Sequence, residues 1–294
     1  MRASLLQIAV KPDESVNSRR LRAVSLVEEQ SESDLVVLPE LWPVGAFAFD
    51  RFDEAAESAV DGPTAELLGA AAERAGVWLH AGSVVERDAD GTLYNTSLVF
   101  SPAGESVGRY RKIHRFGFDR GEAALMGAGA EPVTVDTGRA VLGLATCYDL
   151  RFPELFRSLT DAGAQILVVP AGWPAKRAAH WDLLLRARAV ENQAYVLGCG
   201  TAGSNGGAPQ AGRSAIIDPW GETLAAAEEL DGDGDGAADS GGRTGADGRT
   251  GVDGRTGGGV GGGAREQVVT AELDLAALAR TREEFPALKD RVLR

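Results

Sequence analysis

The chain has few of the residues that staple extracellular proteins or hold metals. Of its 294 residues only two are cysteine, Cys147 and Cys199, and only three are histidine. Two cysteines build no disulfide framework, and a free thiol survives best where the milieu is reducing, so the cytoplasm is the expected compartment. Long apolar runs are missing as well. None approaches the roughly 20 residues that span a bilayer, and the strand-like start at Met1–Val10 is broken by Lys11-Pro12 rather than continued as a leader. Positive charge is short: 30 Lys and Arg against 43 Asp and Glu leave a net charge of −13. Such a surface repels nucleic acid and anionic membranes, which removes both from the expected partners. The Gly-x-Ser-x-Gly elbow of serine hydrolases is also absent.

What remains alternates strands and helices. Apolar runs at 4–10, 34–38, 166–170 and 194–200 read as buried strands. Residues 77–85 and 92–100 alternate around an Ala-Asp-Gly turn at 89–91, as a hairpin would. Further strands are expected at 107–112, 133–136, 140–146, 213–218 and 267–273. Helices are expected at 17–29, at 64–75 between Pro63 and Gly76, and at 153–162, 180–193 and 274–282. The pattern is that of a layered mixed α/β protein.

Residues 231–264 interrupt it with Asp-Gly repeats, three near-copies of Gly-Arg-Thr-Gly and a glycine run. Such a segment cannot bury apolar surface and reads as a disordered insertion in a single domain spanning 1–294. The Asp231, Asp233, Asp235, Gly236 spacing imitates a calcium loop, but its twelfth position is Gly242 rather than a bidentate Glu. The glycines at 257–263 lack the strand and helix that flank a phosphate loop.

Cys147 carries the clearest chemical signal. It follows the apolar run Val141-Leu-Gly-Leu-Ala-Thr and precedes the polar Tyr148-Asp-Leu-Arg, so the thiol is presented at the carboxyl end of a strand, where α/β ligand sites gather. Cys199 sits inside an apolar strand without a polar neighbour and reads as core. For a base, Glu40 stands just past the strand at 34–38, fixed by Pro39, where partial desolvation would suit it to take a thiol proton. Lys112 closes the strand at 107–112; an ammonium there would favour the thiolate and stabilise an oxyanion. A Cys–His pair with His80, His114 or His180 stays open, although nothing local favours it.

Together these residues resemble the nitrilase superfamily of carbon–nitrogen hydrolases. The matching blocks are Leu38-Pro-Glu-Leu-Trp42, Tyr110-Arg-Lys-Ile-His114 and Thr146-Cys-Tyr-Asp-Leu-Arg-Phe-Pro-Glu154. The likeness continues through His180-Trp-Asp-Leu-Leu-Leu-Arg-Ala-Arg-Ala-Val-Glu-Asn-Gln193 and Asp218-Pro-Trp-Gly-Glu222. Five blocks in order make chance agreement very improbable, and only 231–264 falls outside the resemblance.

The resemblance implies an α-β-β-α sandwich and a Glu–Lys–Cys triad without metal or organic cofactor. Carried over, Glu40 is the general base, Lys112 the oxyanion-stabilising lysine and Cys147 the nucleophile. Glu122 is the best match to a second glutamate that positions the lysine. The family also implies pairing of sandwiches into a homodimer. The Cys-Tyr-Asp-Leu-Arg-Phe block and the closing Arg282-Glu-Glu-Phe-Pro-Ala-Leu-Lys289 look most like its omega-amidase branch, which cleaves the terminal amide of 2-oxo acids such as 2-oxoglutaramate. A substrate carboxylate then needs a cation, and Arg151 or Arg177 is expected to supply it. The equal alternative for Arg151 is a pairing with Asp149 or Glu154 that supports the fold. Tyr148 would contribute a turn N–H, and Trp173 either a pocket wall or core packing. The rivals are the same chemistry on an N-carbamoyl amino acid, a peptide-like amide or a nitrile, and a catalytically silent scaffold.

Overall fold

The computed structural model describes residues 1–117, 119–228 and 264–292. The chain opens with β1 (Arg2–Gln7) and β2 (Ala9–Val10), then α1 (Val16–Glu28), β3 (Leu35–Val37), α2 (Phe52–Ala55) and α3 (Pro63–Ala75). Three consecutive strands follow: β4 (Trp78–Arg87), β5 (Leu93–Phe100) and β6 (Ser106–Arg111). After the short α4 (Glu122–Leu125) come β7 (Val133–Asp136), β8 (Val141–Leu144), α5 (Pro153–Asp161), β9 (Ile166–Ala171), α6 (Ala178–Asn192) and β10 (Tyr195–Gly200). The described chain ends with β11 (Ala202–Asn205), β12 (Ala208–Pro209), β13 (Ala215–Ile217), β14 (Thr223–Ala226), β15 (Gln267–Glu272) and α7 (Leu275–Glu284).

Two six-stranded sheets carry the architecture. One is ordered β15-β1-β3-β4-β5-β6 and the other β14-β13-β10-β9-β8-β7; β2, β11 and β12 form a small third sheet. Strand β3 shows why the layers stack. Leu35 and Val37 face the core shared with the second sheet, while Val36 and Leu38 pack against Ala23 and Val27 of α1 and Leu68, Ala71 and Ala72 of α3. A strand buried on both faces must read as a continuous apolar run, and this one does. On the far side Leu155, Phe156 and Leu159 of α5 and Trp181 and Leu185 of α6 cover the second sheet. The layers run α-β-β-α, as the resemblance implied.

Local differences have local causes. The expected strand at 4–10 is split at Ile8, so that β1 enters the first sheet and β2 pairs with β11 in the third. The strand expected at 213–218 is only β13, because Arg213 takes φ +49° and breaks the pleat. Helix α3 lies between Pro63 and a left-handed Gly76 as its flanks predict, but α6 ends on Gln193 at φ 43°, a position with no glycine to announce it. Except for Ala264, the insertion at 231–264 with its calcium-like spacing and glycine run lies outside the described residues.

Candidate active site

Glu40, Lys112 and Cys147 each sit just past a strand end, and Glu122 opens α4. Beyond β3 the chain runs Leu38-Pro39-Glu40 and turns at Leu41, whose φ is 43°. Strand β4 yields to this turn: its pairing with β5 shifts register between His80 and Ser83 around Gly82, at φ +67°. A Cβ on Gly82 would lie 1.9 Å from the Pro39 carbonyl oxygen, so only glycine allows the approach. The Leu41 N–H then donates to Ser83 Oγ at 3.0 Å and the Trp42 indole N–H to the Ala81 carbonyl at 2.9 Å. Glu40 is thus held by backbone on both sides.

Lys112 follows β6, whose pairing with β5 sets Arg111 opposite Thr96. The Lys112 N–H donates to the Asn95 carbonyl at 2.9 Å, which places the two side chains next to each other. Lys112 Nζ donates to Glu40 Oε1 and to Glu122 Oε2, each at 2.7 Å. Asn95 Nδ2 donates to Glu40 Oε1 at 2.8 Å and to Glu122 Oε1 at 2.5 Å. The Gly172 N–H, from the end of β9, donates to Glu40 Oε2 at 2.8 Å, and the Phe116 N–H to Glu122 Oε2 at 2.8 Å. All four side chains are buried. Charge this deep persists only when paired and hydrogen-bonded, as it is here.

Cys147 faces this cluster from the second sheet. It opens a single-turn 3-10 segment, Cys147–Arg151, with φ +49°, a left-handed conformation that strains a residue bearing a side chain. Asp149 holds the turn. Its fully buried carboxylate accepts from the Thr146 N–H at 2.8 Å, Tyr110 Oη at 2.7 Å and the His114 N–H at 3.0 Å, and lies 2.7 Å from His114 Nδ1. One carboxylate therefore ties the cysteine turn to the segment that carries Lys112. It has no capacity left for Arg151, and among the described residues neither Asp149 nor Glu154 forms an ion pair with that arginine.

The electrostatics follow from burial and neighbours. Burial opposes the Lys112 ammonium, yet Glu122 and Glu40 outweigh it and hold the group well above the usual lysine range. Burial raises Glu122, and the like charge of Glu40 adds to this while Lys112 opposes it. The Cys147 thiol is pushed far up, by burial first and by Glu40 second, and Lys112 offsets this only in part. The ammonium does favour the thiolate, as its charge requires, but burial and Glu40 outweigh it. These surroundings favour the protonated thiol, and a thiol sharing a cleft with a carboxylate calls for a general base.

A cleft of about 370 Å³ opens above these groups. Phe47, Phe116, Tyr148 and Trp173 line it, together with half-buried Arg151 and Arg177. Trp173 meets both of its expected roles: it lines the cleft and packs against Trp181 at 5.3 Å, while its indole N–H donates to the Arg177 carbonyl at 2.8 Å. The Arg151 guanidinium lies 4.8 Å from the Trp173 ring centre and that of Arg177 5.5 Å from Phe116. Among the described residues neither arginine has a carboxylate partner.

The structure brings Glu40, Lys112, Glu122 and Cys147 together, with Tyr148, Arg151, Trp173 and Arg177 around them. None of the three histidines lines this cleft, which removes the Cys–His alternative. His80 is buried in β4, His114 stacks on Phe152 at 3.8 Å, and the His180 ring lies 3.3 Å from Arg151. Asn95 went unrecognised in the sequence, since one amide in an alternating strand carries no signal until the hairpin register sets it opposite Lys112. Among the described residues no group of three or more His, Cys, Asp or Glu is placed to hold a metal ion.

Comparison with known proteins agrees with this geometry. The profile of the carbon–nitrogen hydrolase family matches residues 2–232. A 2-oxoglutaramate amidase of Paenarthrobacter nicotinovorans is 36% identical, covering 97% of this chain and 87% of its own length. The omega-amidase NIT2 of Homo sapiens is 32% identical over 99% of this chain and 94% of its own. A carbon–nitrogen hydrolase superfamily protein of Xanthomonas campestris, solved with an arsenic adduct in its active site, superposes with a TM-score of 0.81 at 30% identity, covering all of this chain and 98% of its own. With a buried thiol, two carboxylates and a lysine converging at the strand ends of an α-β-β-α sandwich, the chain belongs to the carbon–nitrogen hydrolase family.

Proposed function

We propose that the protein hydrolyses the terminal amide of a 2-oxo dicarboxylic acid, such as 2-oxoglutaramate, to the acid and ammonia. The observation that carries the chemistry is the Cys147 thiol sharing one cleft with Glu40, with Lys112 held between two carboxylates. Glu40 takes the thiol proton as sulfur attacks the amide carbonyl. Lys112 and the Tyr148 N–H stabilise the oxyanion, and Glu122 keeps Lys112 charged and in place. The proton on Glu40 passes to the leaving nitrogen, ammonia departs and a thioester remains. Glu40 then deprotonates water, which attacks the thioester, and sulfur leaves as the restored thiol.

The substrate class rests on the rim. Two half-buried guanidiniums without carboxylate partners, in a chain of net charge −13, suit a small substrate that carries a carboxylate. Arg151 and Arg177 take that group, and Tyr148 and Trp173 bound the acyl chain. The relatives named for 2-oxoglutaramate and omega-amide hydrolysis support this reading. Residues 1–294 form one hydrolase domain with an insertion at 231–264. The protein works in the cytoplasm, where two unpaired cysteines are at home. It pairs as a homodimer; apolar Leu183 and Val190 on the outer side of α6 are exposed in the single chain.

The test is ammonia release from 2-oxoglutaramate, with Cys147→Ala as control. Release that disappears in the variant supports both nucleophile and substrate. No release from folded wild-type protein sinks the substrate assignment and directs the search to carbamoyl compounds and nitriles. Light scattering on the purified protein decides the homodimer: a monomer mass at micromolar concentration would reject it.

A further inference from the structure

We infer that Asn95 is the residue that sets the proton affinity of the Glu40–Lys112–Glu122 cluster, a positioning residue that acts on the reaction through both carboxylates. It rests on the reading of Glu40 as general base, and not on the identity of the substrate. Two buried carboxylates share a single ammonium, so ion pairing alone leaves one negative charge uncompensated. Asn95 Nδ2 bridges the two carboxylates, with donor distances of 2.8 Å to Glu40 and 2.5 Å to Glu122. A neutral donor stabilises ionised carboxylates without adding the charge that a second lysine would bring against Cys147.

The rest of the side chain supports this assignment. Asn95 Oδ1 is buried and has no hydrogen-bond partner among the described residues. A buried amide is normally satisfied at both ends, and this one is satisfied only at the end facing the carboxylates. Turning it over would press its carbonyl oxygen against Glu40 and Glu122, so the neighbours dictate its orientation. Strand β5 serves the other half of the site too: Ser97, two residues on and on the same face, has its hydroxyl 3.1 Å from that of Thr146, next to Cys147.

Four titratable groups make up the cluster around this amide, Glu40 beyond β3, Lys112 beyond β6, Glu122 in α4 and Cys147 beyond β8, of which Glu40 and Glu122 touch it. Their protons belong to the set, so the expected readout is an apparent value for the cluster. Removing the donor raises the proton affinity of the carboxylates, and the base becomes available only at higher pH.

The experiment follows the alkylation rate of Cys147 by iodoacetamide against pH in the full-length protein, read by peptide mass with Cys199 as internal control. In Asn95→Ala the half-point of the acid limb should move up by on the order of one pH unit, which makes the rate ~10-fold lower at pH values well below both half-points. Asn95→Asp, nearly isosteric, adds a third carboxylate and should move the limb further in the same direction. Folded variants with a wild-type limb would overturn the inference, as would failure of both variants to fold, which would mark the amide as purely structural. Wild-type protein without an acid limb would overturn the base assignment along with it. Wild-type protein that shows the limb but leaves 2-oxoglutaramate intact would sink only the substrate reading.

Discussion

The protein contains two buried thiols whose surroundings could hardly differ more. Cys147 lies past a strand end, on a strained turn, facing two carboxylates and an ammonium. Cys199 lies inside β10, with the Leu6 and Val37 carbonyl oxygens 3.5 and 3.3 Å from its sulfur. Burial raises the proton affinity of both, and among the described residues no charged group acts on Cys199 to use that proton. Reactivity in this fold is therefore decided by position relative to the strand ends, and not by how buried a sulfur is. The interior between the sheets excludes charge, whereas the strand-end cluster holds three ionisable side chains beside the thiol by pairing them.

The contrast breaks first at the thiols. Cys147→Ala should reduce ammonia release to background, while Cys199→Ala keeps turnover; the reverse result would exchange the two roles. Next comes the ammonium. Losing one oxyanion donor costs ~10²–10³ in kcat, so Lys112→Ala should fall by about that much in steady-state kinetics, and near-normal turnover would remove Lys112 from the mechanism. The rim follows. Arg151→Ala or Arg177→Ala removes a charge-assisted contact worth about 1.5–3 kcal/mol, which should appear as a roughly 10- to 100-fold rise in KM with kcat largely kept. An unchanged KM in both variants would move the carboxylate site elsewhere.

The smallest effect sharpens the other side of the comparison. His80 lies in β4 between Val37 and Val99, fully buried, and burial lowers its pKa from 6.5 to about 4. Between these values the unfolded chain binds the proton and the folded chain does not, so stability falls as pH drops below 6.5 and this loss is complete near pH 4. At about 1.4 kcal/mol per unit, cooling of the folded state's advantage between pH 6.5 and 5 amounts to ~2 kcal/mol from this residue. Urea midpoints in that range should show a steeper decline for wild type than for His80→Leu; parallel declines would show that the interior tolerates the imidazolium.

Much of this was legible in the chain because strand ends leave marks. Pro39 before Glu40, the apolar run before Cys147 and the Arg-Lys pair closing β6 each announce where a strand stops and a functional side chain begins. Asn95 and Asp149 leave no such mark. Their roles come from pairing register and from contacts between residues far apart in the chain, 55 residues to Glu40 in one case and 39 to Tyr110 in the other. The third sheet was missed for a similar reason: β2, β11 and β12 are two to four residues long, too short for a periodic pattern. The charge of Lys112 was legible as a pull towards the thiolate, whereas the burial that outweighs it becomes visible only once the two sheets are packed.

Glu40, Asn95 and Lys112 belong to one sheet, and Cys147 and Gly172 to the other. Nucleophile and base therefore meet only once the two halves of the sandwich have docked. A chain still folding, or one pried open by stress, presents its sulfur without the carboxylate that would activate it. Such a chain consumes no substrate, and its sulfur has only the reactivity of an ordinary thiol. The seam works as an interlock, since turnover requires both halves in place.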